Sequence, residues 1–181
     1  QRAITRMEQG VSALVERLLD AMADDAAAGR PVDLIDAFAA AIPVEVIGNL
    51  LAYPRERRGP LRGWSLAILA ALEPAPTVRM LDDGNRAVVD FLASLRELVA
   101  DRRAHPLDPD EDVLTRLIRG GAGGENLTES PSEPLTEPLT EHQLLHNCIF
   151  LLNAGHETTT NLIGNGLHAL MTHRAELERL I

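Results

Sequence analysis

Apolar residues recur along most of this chain at the three- and four-residue spacing of one-sided helices. The first such stretch, from Met7 to Ala23, carries Val11, Leu14, Val15, Leu18 and Met22 on one stripe. A second helix is predicted from a cap at Asp33 through Leu51, bent by Pro43, whose ring removes one backbone donor. Tyr53-Pro54 closes it. Pro60 to Leu72, which includes Trp64, reads as a third helix, ended by Glu73-Pro74-Ala75-Pro76. A long fourth helix, capped at Asp82 or Asp83, runs to Arg103, where Arg102 and Arg103 suit the negative helix end and His105-Pro106 stops it. A short helix is expected from Glu111 to Arg119.

Residues 120–140 break the pattern. They are rich in Gly, Ser, Pro and Glu, with Pro-Leu-Thr-Glu repeated in tandem at 134–137 and 138–141. This reads as an exposed flexible loop acting as a spacer. Thr140 followed by Gln143 is a capping-box signal, and helical character then continues over about 141–172, far beyond the usual 11–12 residues. His173 to Ile181 begins one more helix. The predicted class is all-α.

Composition narrows the functional classes. The chain has 181 residues, 45% of them hydrophobic but only 3% aromatic, so its core is built from aliphatic side chains. The formal net charge of −10 disfavours a nucleic-acid partner, which needs a basic surface to displace counterions. No apolar run approaches the roughly 18 residues of a membrane span. A single cysteine, Cys148, fits a reducing cytoplasm. The first residue is Gln1, which fits a chain whose true beginning lies elsewhere.

The informative segment lies inside the long helix. Cys148-Ile149-Phe150-Leu151-Leu152 is apolar all round, which predicts a buried helix centre. Asn153 to Asn161 then places a glycine, a histidine, a glutamate and three consecutive threonines in the helix. Helix propensity alone sets the cost of these residues at about 2–3 kcal/mol, and sequences break several local rules together mainly at functional sites. Ala154 and Thr158 share a face with Phe150 and Leu162. The small pair Ala154-Gly155 thins the helix wall, so a flat ligand can lie against it. The Thr158 hydroxyl is placed to bond back to the Ala154 carbonyl. Glu157 sits about 100° further round. An acid beside an alcohol makes a short proton route.

Ala154-Gly155-His156-Glu157-Thr158-Thr159 closely resembles the small-Gly-x-acid-Thr-Thr/Ser signature in the central helix of cytochrome P-450 enzymes. Ile42-Pro43-Val44-Glu45-Val46-Ile47, Arg102-Arg103-Ala104-His105-Pro106 and Asp112-Val113-Leu114 resemble, in the right order, further segments of soluble bacterial members. The resemblance covers essentially the whole chain, as part of a single domain running from the fourth helix of that fold to just past the central one. It implies a haem-dependent monooxygenase that uses haem b and O2 to oxidise a small organic substrate, with electrons from a ferredoxin-type donor and its reductase. It also implies that Thr158 hydrogen-bonds the dioxygen and that Glu157 helps relay protons to it. Ala154, Gly155, Thr158 and Thr159 would line the haem, and Phe150 and Asn153 would face the substrate.

The family's axial Cys loop, Phe-x-x-Gly-x-x-x-Cys-x-Gly, does not occur in these residues, so no metal ligand is assigned. Glu176 and Arg179 have the spacing of the family's Glu-x-x-Arg pair but follow the central helix too soon. The competing reading is therefore a non-catalytic helical fragment or scaffold. Helices shaped to cover a haem expose a broad apolar surface without it, and the chain alone is expected to be molten or aggregating.

Other motifs are weaker. His156-Glu157 lacks the second histidine of a zinc-protease helix, since Thr160 stands there. His142 and His146 are four apart and can share a metal, although a solvated pair is the plainer expectation. The Arg pairs at 57–58 and 102–103 are expected to be solvated helix ends.

Overall fold

The computed structural model describes residues 2–109, 112–119 and 139–180, with side chains from residue 7 onward. Among them every regular element is helical. The helices are α1 (Arg2–Ala27), α2 (Ala41–Leu50), α3 (Leu61–Ala71), α4 (Val78–Ala104), α5 (Val113–Ile118), α6 (Glu141–Thr172) and α7 (Arg174–Leu180). A π-helical turn, Ile35–Ala39, precedes α2, and a 3-10 turn, Arg55–Arg57, precedes α3. No helix among the described residues is long and apolar enough to cross a membrane. Nearly all of the 120–140 loop lies outside the described residues.

The chain divides into two compact units, 1–47 with 154–181 and 48–153. In the first, α1 adjoins the π turn. Asp33 opens that turn, its carboxylate accepting from the backbone N–H of Ile35 at 2.9 Å and of Asp36 at 3.2 Å. The single bent helix expected over 33–51 is instead two pieces. Pro43 has no N–H to offer the Ala39 carbonyl and its ring crowds that oxygen. The backbone widens before it, and Ala40 N–H reaches back to Ile35 O at 2.9 Å. Pro43 then occupies the first turn of α2, where a missing donor costs little.

The second unit is organised on α3 and α4. Gly84 of α4 meets α3 so closely that a Cβ there would stand 2.5 Å from Ala71 Cβ and 3.0 Å from the Ala67 carbonyl oxygen. Trp64 stacks on the fully buried Phe91, with ring centroids 5.2 Å apart. Helix α4 starts at Val78 under a Thr77 cap, whose hydroxyl accepts from Met80 N–H at 3.2 Å. Asp82 and Asp83, the expected caps, lie inside the helix. Asp83 instead bonds Arg86 one turn on, at 3.1 Å.

The arginine pairs also correct an expectation. Arg57 behaves as a part-exposed staple, donating to Ser94 Oγ at 2.9 Å and Glu97 Oε2 at 2.7 Å. Arg58 is buried, donating to the Tyr53 carbonyl at 2.8 Å and to Asn49 Oδ1 at 2.9 Å. Arg103 joins the end of α4 to the start of α6 through Glu141, at 2.8 Å. Arg102 is buried against Asp112. One member of each pair is therefore buried. A guanidinium can be buried where the fold brings oxygen acceptors to it, here Tyr53 O and Asn49 Oδ1 for Arg58 and Asp112 and Ala52 O for Arg102.

Candidate functional site

Helix α6 begins as its sequence predicts. Thr140 N–H donates to Gln143 Oε1 at 2.9 Å, and Gln143 N–H donates to Thr140 Oγ1 at 3.3 Å. The first half of the helix is not buried all round. Cys148, Ile149 and Leu152 are in the core, but Phe150 is 71% exposed. A helix of period 3.6 turns Phe150 away from those three, so an apolar run need not be apolar on every side in the fold.

Phe150 starts an open stripe. Ala154, Glu157, Thr158 and Asn161 follow it as exposed positions, and Leu162 is 73% exposed. The opposite side carries the buried His156 and Thr160. Thr158 Oγ1 donates to the Ala154 carbonyl at 2.7 Å, and Thr160 Oγ1 to the His156 carbonyl at 2.8 Å. Both back-bonds draw on carbonyls that also serve the helix ladder, which continues unbroken through this turn.

The other predicted site residues are placed differently. A Cβ on Gly155 would lie 2.9 Å from Ile47 Cδ1, so the smallness of Gly155 serves the approach of α6 to α2. Of the small pair, only Ala154 has its side chain on the open stripe. Thr159, one residue past Thr158 and about 100° round the helix, is half-buried. Asn153 is also half-buried, and its Oδ1 is shielded from solvent without a hydrogen-bond partner among the described residues.

The chain matches no family model. Over 97% of its length it is 31% identical to cytochrome P450 107B1 of Saccharopolyspora erythraea, covering 38% of that protein. Its fold matches P450BioI, solved in complex with a hexadec-9Z-enoic acid-ligated acyl carrier protein, with a TM-score of 0.81 at 27% identity. That match covers 99% of this chain and 41% of the other. The LnmA cytochrome P450 hydroxylase of Streptomyces atroolivaceus, from the leinamycin pathway, gives a TM-score of 0.77 at 30% identity, covering 99% and 40%. The chain belongs to the cytochrome P450 family. It spans about two-fifths of the length of these relatives.

A P450 haem needs a flat, small-residue surface on its oxygen side and a thiolate on the other. On the open stripe of α6, Ala154 presents only a methyl group and the Thr158 hydroxyl is folded back onto its own helix. Cys148 does not meet the second need. It is fully buried, and desolvation, with the nearby negative charge of Asp112, pushes its thiol up to about 12. At neutral pH it is a protonated thiol packed in the core. Reducing this 181-residue chain with haem under carbon monoxide should therefore give no red-shifted Soret band of the thiolate-ligated kind. The appearance of that band would show that Cys148 does ligate iron.

Proposed function

We propose that this chain forms the oxygen-handling side of a haem-dependent monooxygenase, which inserts one oxygen atom of O2 into an organic substrate. The observation that carries the proposal is the open stripe of α6, where the back-bonded Thr158 hydroxyl stands beside the exposed Glu157 carboxylate. Haem b, when bound, supplies the iron at which dioxygen is activated. The protein's part is to position groups, to exclude water and to deliver protons.

Ala154 and Thr158 line the haem side, flanked by Gly155 and Thr159. Thr158 holds a proton at Oγ1 and can turn it from the Ala154 carbonyl toward dioxygen. Glu157, open to solvent, returns a proton to that position. Exchange between a carboxylate and solvent is fast, so this route need not limit turnover. Phe150, one turn earlier, offers an apolar contact to substrate, with Asn153 at the margin. The substrate is a small apolar or polyketide-like molecule, and the electrons come from a ferredoxin-type donor and its reductase in the cytoplasm.

The test is Thr158→Ala in the haem-loaded enzyme. Electron consumption should continue while product formed per electron falls severalfold and hydrogen peroxide rises. Thr158→Ser, which keeps the hydroxyl, should retain most of the coupling. Unchanged coupling in the alanine variant would remove Thr158 from the proton route.

The scaffold reading keeps one supporting observation, the complete burial of Cys148. It predicts that Thr158→Ala alters nothing measurable in any haem-loaded form.

A further inference from the structure

We propose that His142 and His146, on the first two turns of α6, form a two-imidazole site for a divalent transition-metal ion. Both residues are exposed, four apart on one helix, and their rings stack with centroids 4.0 Å apart and planes 24° from parallel. His146 Nδ1 lies 2.8 Å from the His142 carbonyl oxygen. A carbonyl only accepts, so Nδ1 carries the hydrogen and the lone pair is at Nε2. That arrangement is typical of metal-binding histidines, whose second nitrogen donates to a carbonyl or carboxylate and thereby fixes ring orientation and tautomer.

Two imidazole nitrogens bound at about 2.0–2.1 Å to one ion stand roughly 3 Å apart. The stacked rings must therefore splay about their side-chain bonds before their nitrogens converge on one ion. Glu141, the carboxylate next to His142, is taken up by Arg103. No group of three or more His, Cys, Asp or Glu side chains is placed to hold an ion among the described residues, so water completes the shell. Two imidazoles with water select ions that favour nitrogen ligands, such as Ni2+, Cu2+ or Zn2+, over Ca2+ or Mg2+.

Clamping positions four apart across the first turns of α6 holds the start of the helix that carries the oxygen-handling stripe. The site itself stands on the histidine pair alone and does not depend on the haem reading.

The test is calorimetric titration of the full-length, haem-loaded enzyme with nickel(II) chloride in a non-chelating buffer. One ion should bind per chain. Either His142→Ala or His146→Ala should weaken binding by about tenfold or more, because the second ligand acts at high effective concentration only when the pair is intact. A second variant combines His146→Asn with Asn147→His. It keeps all six histidines but breaks the spacing, and it should bind as weakly as the single variants. All three positions are exposed, so circular dichroism should be unchanged. Undiminished binding in the spacing variant, or no saturable binding to the parent chain, would overturn the proposal.

Discussion

Asp112→Ala should remove about 3–5 kcal/mol of folding stability, the usual cost of leaving one member of a buried ion pair without its partner. Asp112 and Arg102 are almost completely shielded, with side-chain exposures of 2% and 6%. The carboxylate has more than one task. It accepts from Leu114 N–H at 3.3 Å, from Thr115 N–H at 2.9 Å and from Thr115 Oγ1 at 2.6 Å, capping α5 while it binds the guanidinium. Loss of the cap accounts for about 1 kcal/mol. The larger part comes from Arg102, whose charge would then keep, among the described residues, the Ala52 carbonyl 3.3 Å away. Asp112→Asn keeps an oxygen for the cap but not the charge, and should fall between wild type and alanine. Replacing both partners, Arg102→Met with Asp112→Leu, should recover much of the loss, because no charge is left stranded. Urea denaturation followed by circular dichroism measures all of these. A loss below about 1 kcal/mol for the alanine variant would mean that the pair is hydrated and weak.

Phe91→Ala should cost a similar amount, about 3–5 kcal/mol. Phe91 is wholly buried and stacks on Trp64, joining α4 to α3. The chain has only three Phe, one Trp and one Tyr, so few other side chains are bulky enough to fill the space. The close contact at Gly84 also fixes the separation of the two helices, so they cannot collapse to close the cavity. Phe91→Leu, which refills most of the volume, should cost far less. Because Trp64 is the only tryptophan, its emission reports this contact directly. The alanine variant should shift that emission to the red as water reaches the indole. An unchanged spectrum together with unchanged stability would show that the stack does not hold α3 to α4.

Local chemistry was legible wherever neighbouring residues settle it. The Thr140–Gln143 box, the stop at His105-Pro106 and the cap at Asp33 each involve groups within a few residues of one another. The Thr158 back-bond to Ala154 belongs with them, since a helical threonine finds that carbonyl whatever surrounds it. The start of α4 was misplaced because Thr77 and two aspartates all qualify as caps. The choice fell to Thr77, directly behind Pro74-Ala75-Pro76, and left Asp83 free for ion pairing along the helix. At Pro43 a bend in one helix was expected, and a π turn followed by a new helix was found.

The sequence by itself determined the helical class, the capped start of α6 and the family signature from Ala154 to Thr159. These depend on residue type and short spacing, which every conformation of the chain carries. The tertiary structure decided which arginines are buried, why Gly155 must be small and that Phe150 and Leu162 stand open beside Ala154 and Thr158. Each of these depends on atoms far away in sequence: Ala52 and Asp112 for Arg102, and Ile47 for Gly155. Burial is a property of what the fold brings against a residue, and hydrophobic pattern states only which residues favour it.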